Sequence, residues 1–164
     1  MIRRIIAALL LSATAGHAEG FAITGLTRAP DSIPVLGEDY VSRVEADRIT
    51  YVCLGCKSAP MIDVLMGKTR DGTEGRIRSG QTTMARMQAL CQSRDPNCKI
   101  EALQVEPAVG YISTYALGST FGHTMVIMRD GDMLTIRSIC NDAKTARENA
   151  RLLELNLIPA IVGQ

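Results

Sequence analysis

The sequence predicts an α+β domain: an antiparallel or mixed sheet with two helices packed on one face, reinforced by disulfides. Three observations carry this. Strand-type segments follow one another through short turns, only two stretches show helical spacing, and five cysteines are spread along the chain. With 164 residues, 46% hydrophobic and 21% charged, the chain suits one globular core rather than a collagen-like, coiled-coil or disordered chain. The formal net charge of +1 lacks the basic excess that nucleic-acid binding needs.

Residues 1–18 have the layout of a secretory signal peptide. Arg3 and Arg4 give a positive start, Ile5 to Leu11 is unbroken apolar sequence, and Gly16-His17-Ala18 supplies small residues at the cleavage positions. The apolar run is short for a permanent membrane helix, which takes about 20 residues. Cleavage after Ala18 leaves a domain over 19–164 that opens with an extended lead-in, 19–37, carrying Pro30 and Pro34. The expected location is the periplasm or the exterior. His123 then remains as the single histidine, which removes the imidazoles that a multi-histidine zinc or iron site requires.

Tyr40 to Val44 reads as a short strand. Arg48 to Leu54 is a stronger one, rich in β-branched and aromatic side chains. Met61 to Met66 is apolar without a decisive period. Gly67 to Gln81 is the most polar stretch, with a turn at Asp71-Gly72 and a short exposed strand suggested by Arg76-Ile77-Arg78. Thr82 or Thr83 can cap a helix to about Ser93, with Met84, Met87, Leu90 and Cys91 on one face, and Asp95-Pro96-Asn97 ends it. Ile100 to Val105 and Val109 to Leu117 read as strands. In the second, Val109, Tyr111, Ser113 and Tyr115 share one face. Asp130-Gly131 between Thr124–Met128 and Met133–Ile139 marks a β-hairpin. Asn141 or Asp142 caps a last helix to about Asn156, with Ala146, Ala150, Leu153 and Leu157 as its buried stripe, and Leu157 to Val162 forms an apolar tail.

The cysteines are Cys53, Cys56, Cys91, Cys98 and Cys140. In an oxidising compartment they tend to pair. A straight strand through Cys53-Leu-Gly-Cys56 would hold the two Cα atoms about 10 Å apart, beyond the reach of about 7 Å for a bridge. A local bridge therefore needs a turn, which Gly55 permits. Cys91 and Cys98 flank the Asp95-Pro96-Asn97 reversal. The preferred pairing is Cys53–Cys56 and Cys91–Cys98 with Cys140 an unpaired thiol. The rival sets Cys53 or Cys56 against Cys91.

Cys53-Leu-Gly-Cys56 after a strand, followed by Lys57 and Pro60, resembles the thioredoxin motif locally. That resemblance implies a redox role for Cys53 and Cys56. The proline sits one residue closer than in thioredoxins, and Gly122-His123-Thr124 stands where their loop proline would precede the hairpin. A third reading has the cysteines, or Met61, Met66, Met84, Met87, Met125, Met128 and Met133, handling zinc or copper. Against it, Met84 and Met87 lie on a helix's apolar face, where methionine is ordinary core filler. His123 begins a strand, its ring expected at the surface, and a Cys–His pair with Cys140 is the alternative. Arg70, Arg76 and Arg78 belong to a basic concentration that could contact an anion or an acidic partner. The function expected from these features is that of an exported, non-enzymatic binding or accessory protein that needs no cofactor and meets another periplasmic protein or a small ligand.

Overall fold

A computed structural model describes residues 20–29, 36–37 and 39–163. The segment 1–18 and part of the 19–37 lead-in lie outside the described residues. Among the described residues, seven strands make one sheet: β1 (Tyr40–Val44), β2 (Arg48–Cys53), β3 (Met61–Lys68), β4 (Lys99–Leu103), β5 (Val109–Leu117), β6 (Thr120–Arg129) and β7 (Asp132–Cys140). Their order is β1-β2-β3-β7-β6-β5-β4, and every neighbouring pair is antiparallel. Two meanders are thus joined by one long crossover, which carries α1 (Thr73–Arg78) and α2 (Met84–Gln92) from the middle of the sheet to its β4 edge. The chain closes with α3 (Ala143–Val162).

The β6–β7 turn is fixed by Asp130 (φ 50°) and Gly131 (φ 85°), both in the left-handed region that a two-residue hairpin turn requires. Register then assigns the faces. Ile62, Val64, Met125, Ile127, Leu134 and Ile136 share one face and are fully buried beneath α3. Ala146, Ala150, Leu153, Leu157 and Ile161 of α3 fill this core from above. Asp142 starts the helix, its carboxylate accepting the Thr145 amide at 2.7 Å. Burying a leucine or isoleucine side chain is worth about 1.5–3 kcal/mol, so this face supplies most of the stability. The lead-in joins it: Phe21 and Leu26 are buried, and the Phe21 amide donates to the Asp132 carboxylate at 2.8 Å.

The class is α+β with an antiparallel sheet and disulfides; within it three sequence expectations are corrected and one open segment, Met61–Met66, is settled. The two longer helices do not share a face. α3 covers the core face, whereas α2 lies against the opposite face, beside Tyr111, Ser113 and Tyr115. Residues 76–78 belong to a helix, not a strand. The Asp71 carboxylate accepts the Thr73 amide at 3.0 Å and starts a turn, while Glu74 accepts the Asp130 and Gly131 amides at 3.1 Å each, so a tertiary anchor overrides local preference. Met61–Lys68 is a strand throughout. The last helix runs past Asn156 and through Pro159 to Val162. Pro159 is tolerated because it and Leu155, whose carbonyl loses its partner, both lie on the solvent side.

Candidate ligand-binding groove

On the face opposite α3, the crossover leaves a groove of about 410 Å³ between α2 and the β4–β5 strands. Its helical wall is Met87, Leu90 and Cys91. Its floor is Ile100, Tyr111, Ser113 and Tyr115, and Arg94, Asp95 and Leu117 stand at one end. The sequence placed Tyr111, Ser113 and Tyr115 on one strand face, and that face is the floor. Met84 and Met87, expected as core filler, are corrected by the structure: no residue of α2 is fully buried, and Leu90 on the same helix face is 62% exposed. The helix's apolar stripe looks across a gap rather than into packed protein.

Three devices shape the gap. Cys91, in the last turn of α2, is bridged to Cys98, just before β4, with Cα atoms 5.6 Å apart. Gln88 spans the same junction: its Nε2 donates to the Cys98 carbonyl at 2.7 Å and its Oε1 accepts the Ile100 amide at 2.6 Å. One side-chain amide thereby occupies two groups at the start of the β4 edge, the Cys98 carbonyl and the Ile100 amide. The third device is Gly122, directly across from Tyr115. A Cβ there would collide with the Tyr115 ring, so the glycine lets the ring lie flat over β6. The Tyr115 hydroxyl then reaches Thr124 Oγ1 at 3.2 Å.

Most polar groups of the groove are already engaged. The Ser113 hydroxyl donates to the Thr124 carbonyl at 3.3 Å, and Asp95 accepts the Asn97 amide at 2.9 Å and the Ala116 amide at 3.2 Å. Burial raises the Tyr111 phenol above its ordinary pKa, so it remains a neutral hydroxyl at physiological pH. Beyond the groove the same sheet face continues into Val41, Val52 and Met61, cross-strand neighbours that are all exposed.

Cys53 and Cys56 form the second disulfide, with Cα atoms 5.6 Å apart, and Cys91 is not available to either of them. Residues 57–60 are irregular and β3 begins at Met61, so no helix starts at Cys56 to stabilise a thiolate. Cys140 is free and buried, its thiol donating to the Ser58 carbonyl at 3.2 Å. No hydrogen bond joins it to His123 among the described residues. The histidine is only 6% exposed, contrary to the surface position expected for it, and its Nδ1 lies 3.0 Å from the Thr114 hydroxyl. Burial, then the nearby Arg147 cation, hold the His123 pKa below its usual value, against a smaller opposing pull from Glu101. His123 therefore stays neutral near pH 7.

Arg76 and Arg78 of the basic concentration are engaged by intramolecular partners at the surface. Arg76 donates to the Asp71 carbonyl at 2.7 Å and to Thr73 Oγ1 at 2.8 Å; Arg78 donates to Glu74 at 2.9 Å and to the Pro107 carbonyl at 2.9 Å. Arg70 is exposed. Four of the five cysteines are in disulfides, so a four-thiolate metal site is not assembled in this state, and no group of three or more His, Cys, Asp or Glu side chains gathers as a metal site among the described residues. No described helix is long and apolar enough to cross a membrane. No protein-family model and no curated protein sequence matches the chain.

Proposed function

We propose that this is an exported binding protein, active outside the cytoplasm and without chemistry of its own, which holds an apolar ligand in the groove between α2 and the sheet. The observation that carries the reading is the half-covered apolar stripe of α2, held over an aromatic floor by a disulfide and by Gln88. Left open, such a stripe exposes hydrophobic surface to water. A ligand that covered it would recover about 25 cal/mol for each Å² of apolar area removed. Wall and floor are fixed in advance, which lowers the ordering cost of binding. Export is supported by the layout of residues 1–18 together with the two disulfides, which persist in oxidising compartments.

The test is titration of the purified protein with the hydrophobic fluorophore N-phenyl-1-naphthylamine. Saturable binding is expected, weakened about tenfold or more by Leu90→Asp, since a leucine contact of this kind is worth about 1.5–3 kcal/mol. Leu90 is exposed in the free protein, so the variant folds. Equal binding by both proteins would overturn the reading. A redox role for Cys53 and Cys56 is separated by potential. An oxidoreductase disulfide equilibrates at about −120 to −270 mV, whereas a structural one resists reduction down to about −300 mV; the second outcome is expected.

A further inference from the structure

We infer that the groove takes an aliphatic monocarboxylate, a fatty-acid-like chain lying along β5 with its carboxylate on Arg94. This rests on the groove being a binding site, and it adds the ligand's class and orientation.

Charge gives the orientation. Arg94 and Asp95 are the two charged residues lining the groove, both at the Leu117 end. They are not equivalent. The Asp95 carboxylate is already held by the Asn97 and Ala116 amides. The Arg94 guanidinium has no carboxylate or carbonyl partner among the described residues. The Asp95 charge stays at this end of the groove with its oxygens already engaged, so the Arg94 guanidinium is the unpaired charged donor there, and its paired N–H groups can donate to a ligand carboxylate.

Shape and the state of the sheet edge give the rest. The floor runs from Tyr111 to Leu117 along β5, roughly 20 Å at strand rise, with Met87 and Leu90 of α2 and Ile100 of β4 beside it. A peptide strand that extended the sheet here would have to pair with β4. Gln88 occupies the Cys98 carbonyl and the Ile100 amide, two of the groups that this pairing needs. A chain without backbone hydrogen bonds loses nothing by that block. The occupied hydroxyls of Ser113 and Tyr115 likewise suit a polymethylene body better than a polar one.

The experiment compares dodecanoate, dodecanol and a hexapeptide ending in Leu-Leu, each displacing N-phenyl-1-naphthylamine from the purified protein and from its Arg94→Gln variant. Dodecanoate is expected to displace the probe about tenfold better than dodecanol, the worth of one charge-assisted contact. Arg94→Gln should remove that preference and leave dodecanol unchanged. Raised ionic strength should narrow the preference in the native protein. Equal displacement by acid and alcohol overturns the role of Arg94 while the groove reading stands. Better displacement by the peptide overturns the aliphatic assignment. Failure of the fluorophore itself to bind overturns the groove reading first, and this inference with it. Arg94 is exposed at the end of a helix, so loss of fold does not confound the variant.

Discussion

Removing the Cys91–Cys98 bridge separates two consequences that a merely stabilising disulfide would not separate. The perturbation is Cys91→Ser with Cys98→Ser, against a control of Cys53→Ser with Cys56→Ser. The first bridge has a sequence separation of 7 and the second of 3. Loop-closure entropy then gives about 2.5 kcal/mol for the first and about 1.9 kcal/mol for the second. At a urea slope of about 2 kcal/mol per molar, the midpoints fall by about 1.2 M and about 0.9 M. The two losses are therefore nearly equal. Ligand binding should differ sharply. Cys91 lines the groove and its bridge fixes the end of α2 against β4, whereas Cys53 ends β2 and Cys56 lies in the β2–β3 connection, and neither lines the groove. Equilibrium unfolding under non-reducing conditions gives the midpoints, and titration with N-phenyl-1-naphthylamine gives the affinity. The first variant should lose several-fold in affinity and the control should lose none. If both variants bind like the native protein, or both weaken alike, the claim that this disulfide builds the groove is refuted.

Other expectations follow from the core and from two buried side chains, His123 and Cys140. Leu134→Ala, beneath α3 with no exposure, should cost about 2–5 kcal/mol in urea unfolding, and a loss under 1 kcal/mol would misplace the core. His123 has a depressed pKa in the folded state, so as pH falls through the unfolded value of about 6.5 the unfolded chain takes up the proton first. Stability should decline from pH 7.5 to 5.5, and His123→Asn should flatten that slope; an unchanged slope would show that other groups set it. The Cys140 thiol is buried against the Ser58 carbonyl. It should resist 5,5′-dithiobis(2-nitrobenzoate) in the folded protein and react as a single thiol per chain in denaturant. Fast reaction in the native state would contradict its burial.

Sheet elements were legible where local chemistry and tertiary environment agree. Val109–Leu117 alternates between faces that are both partly covered, and the Asp130-Gly131 turn needs the positive φ values that its residues supply. Disagreement arises where a distant group decides. Arg76-Ile77-Arg78 has no helical signature of its own, and it is helical because Glu74 is pinned to the amides of a turn 56 residues away. His123 reads as an exposed strand start because the sequence does not reveal that α3 brings Arg147 over that end of the sheet. The groove was half legible. Its floor showed as one strand face and its wall as one helix face. That the two oppose each other across a gap depends on the crossover reaching the far edge of the sheet, which no local pattern encodes.

Tethers at α2, more than packing, set its position over the sheet. A helix of nine residues is marginal by itself, and α2 buries no side chain completely, so hydrophobic packing contributes little to holding it in place. It is held instead by a covalent bridge at Cys91, by the two hydrogen bonds of Gln88 and by the Thr83 cap on the Arg86 amide. If the helix served only to cover the sheet, burying Met87 and Leu90 would be the simplest way to fix it. Tethers that position it while leaving those side chains accessible are what a preformed site requires. On that argument Gln88→Ala, which removes the clamp and leaves every groove-lining side chain in place, should weaken ligand binding by more than it lowers the unfolding midpoint. A variant that lost stability while keeping full affinity would return α2 to the status of an ordinary edge cover.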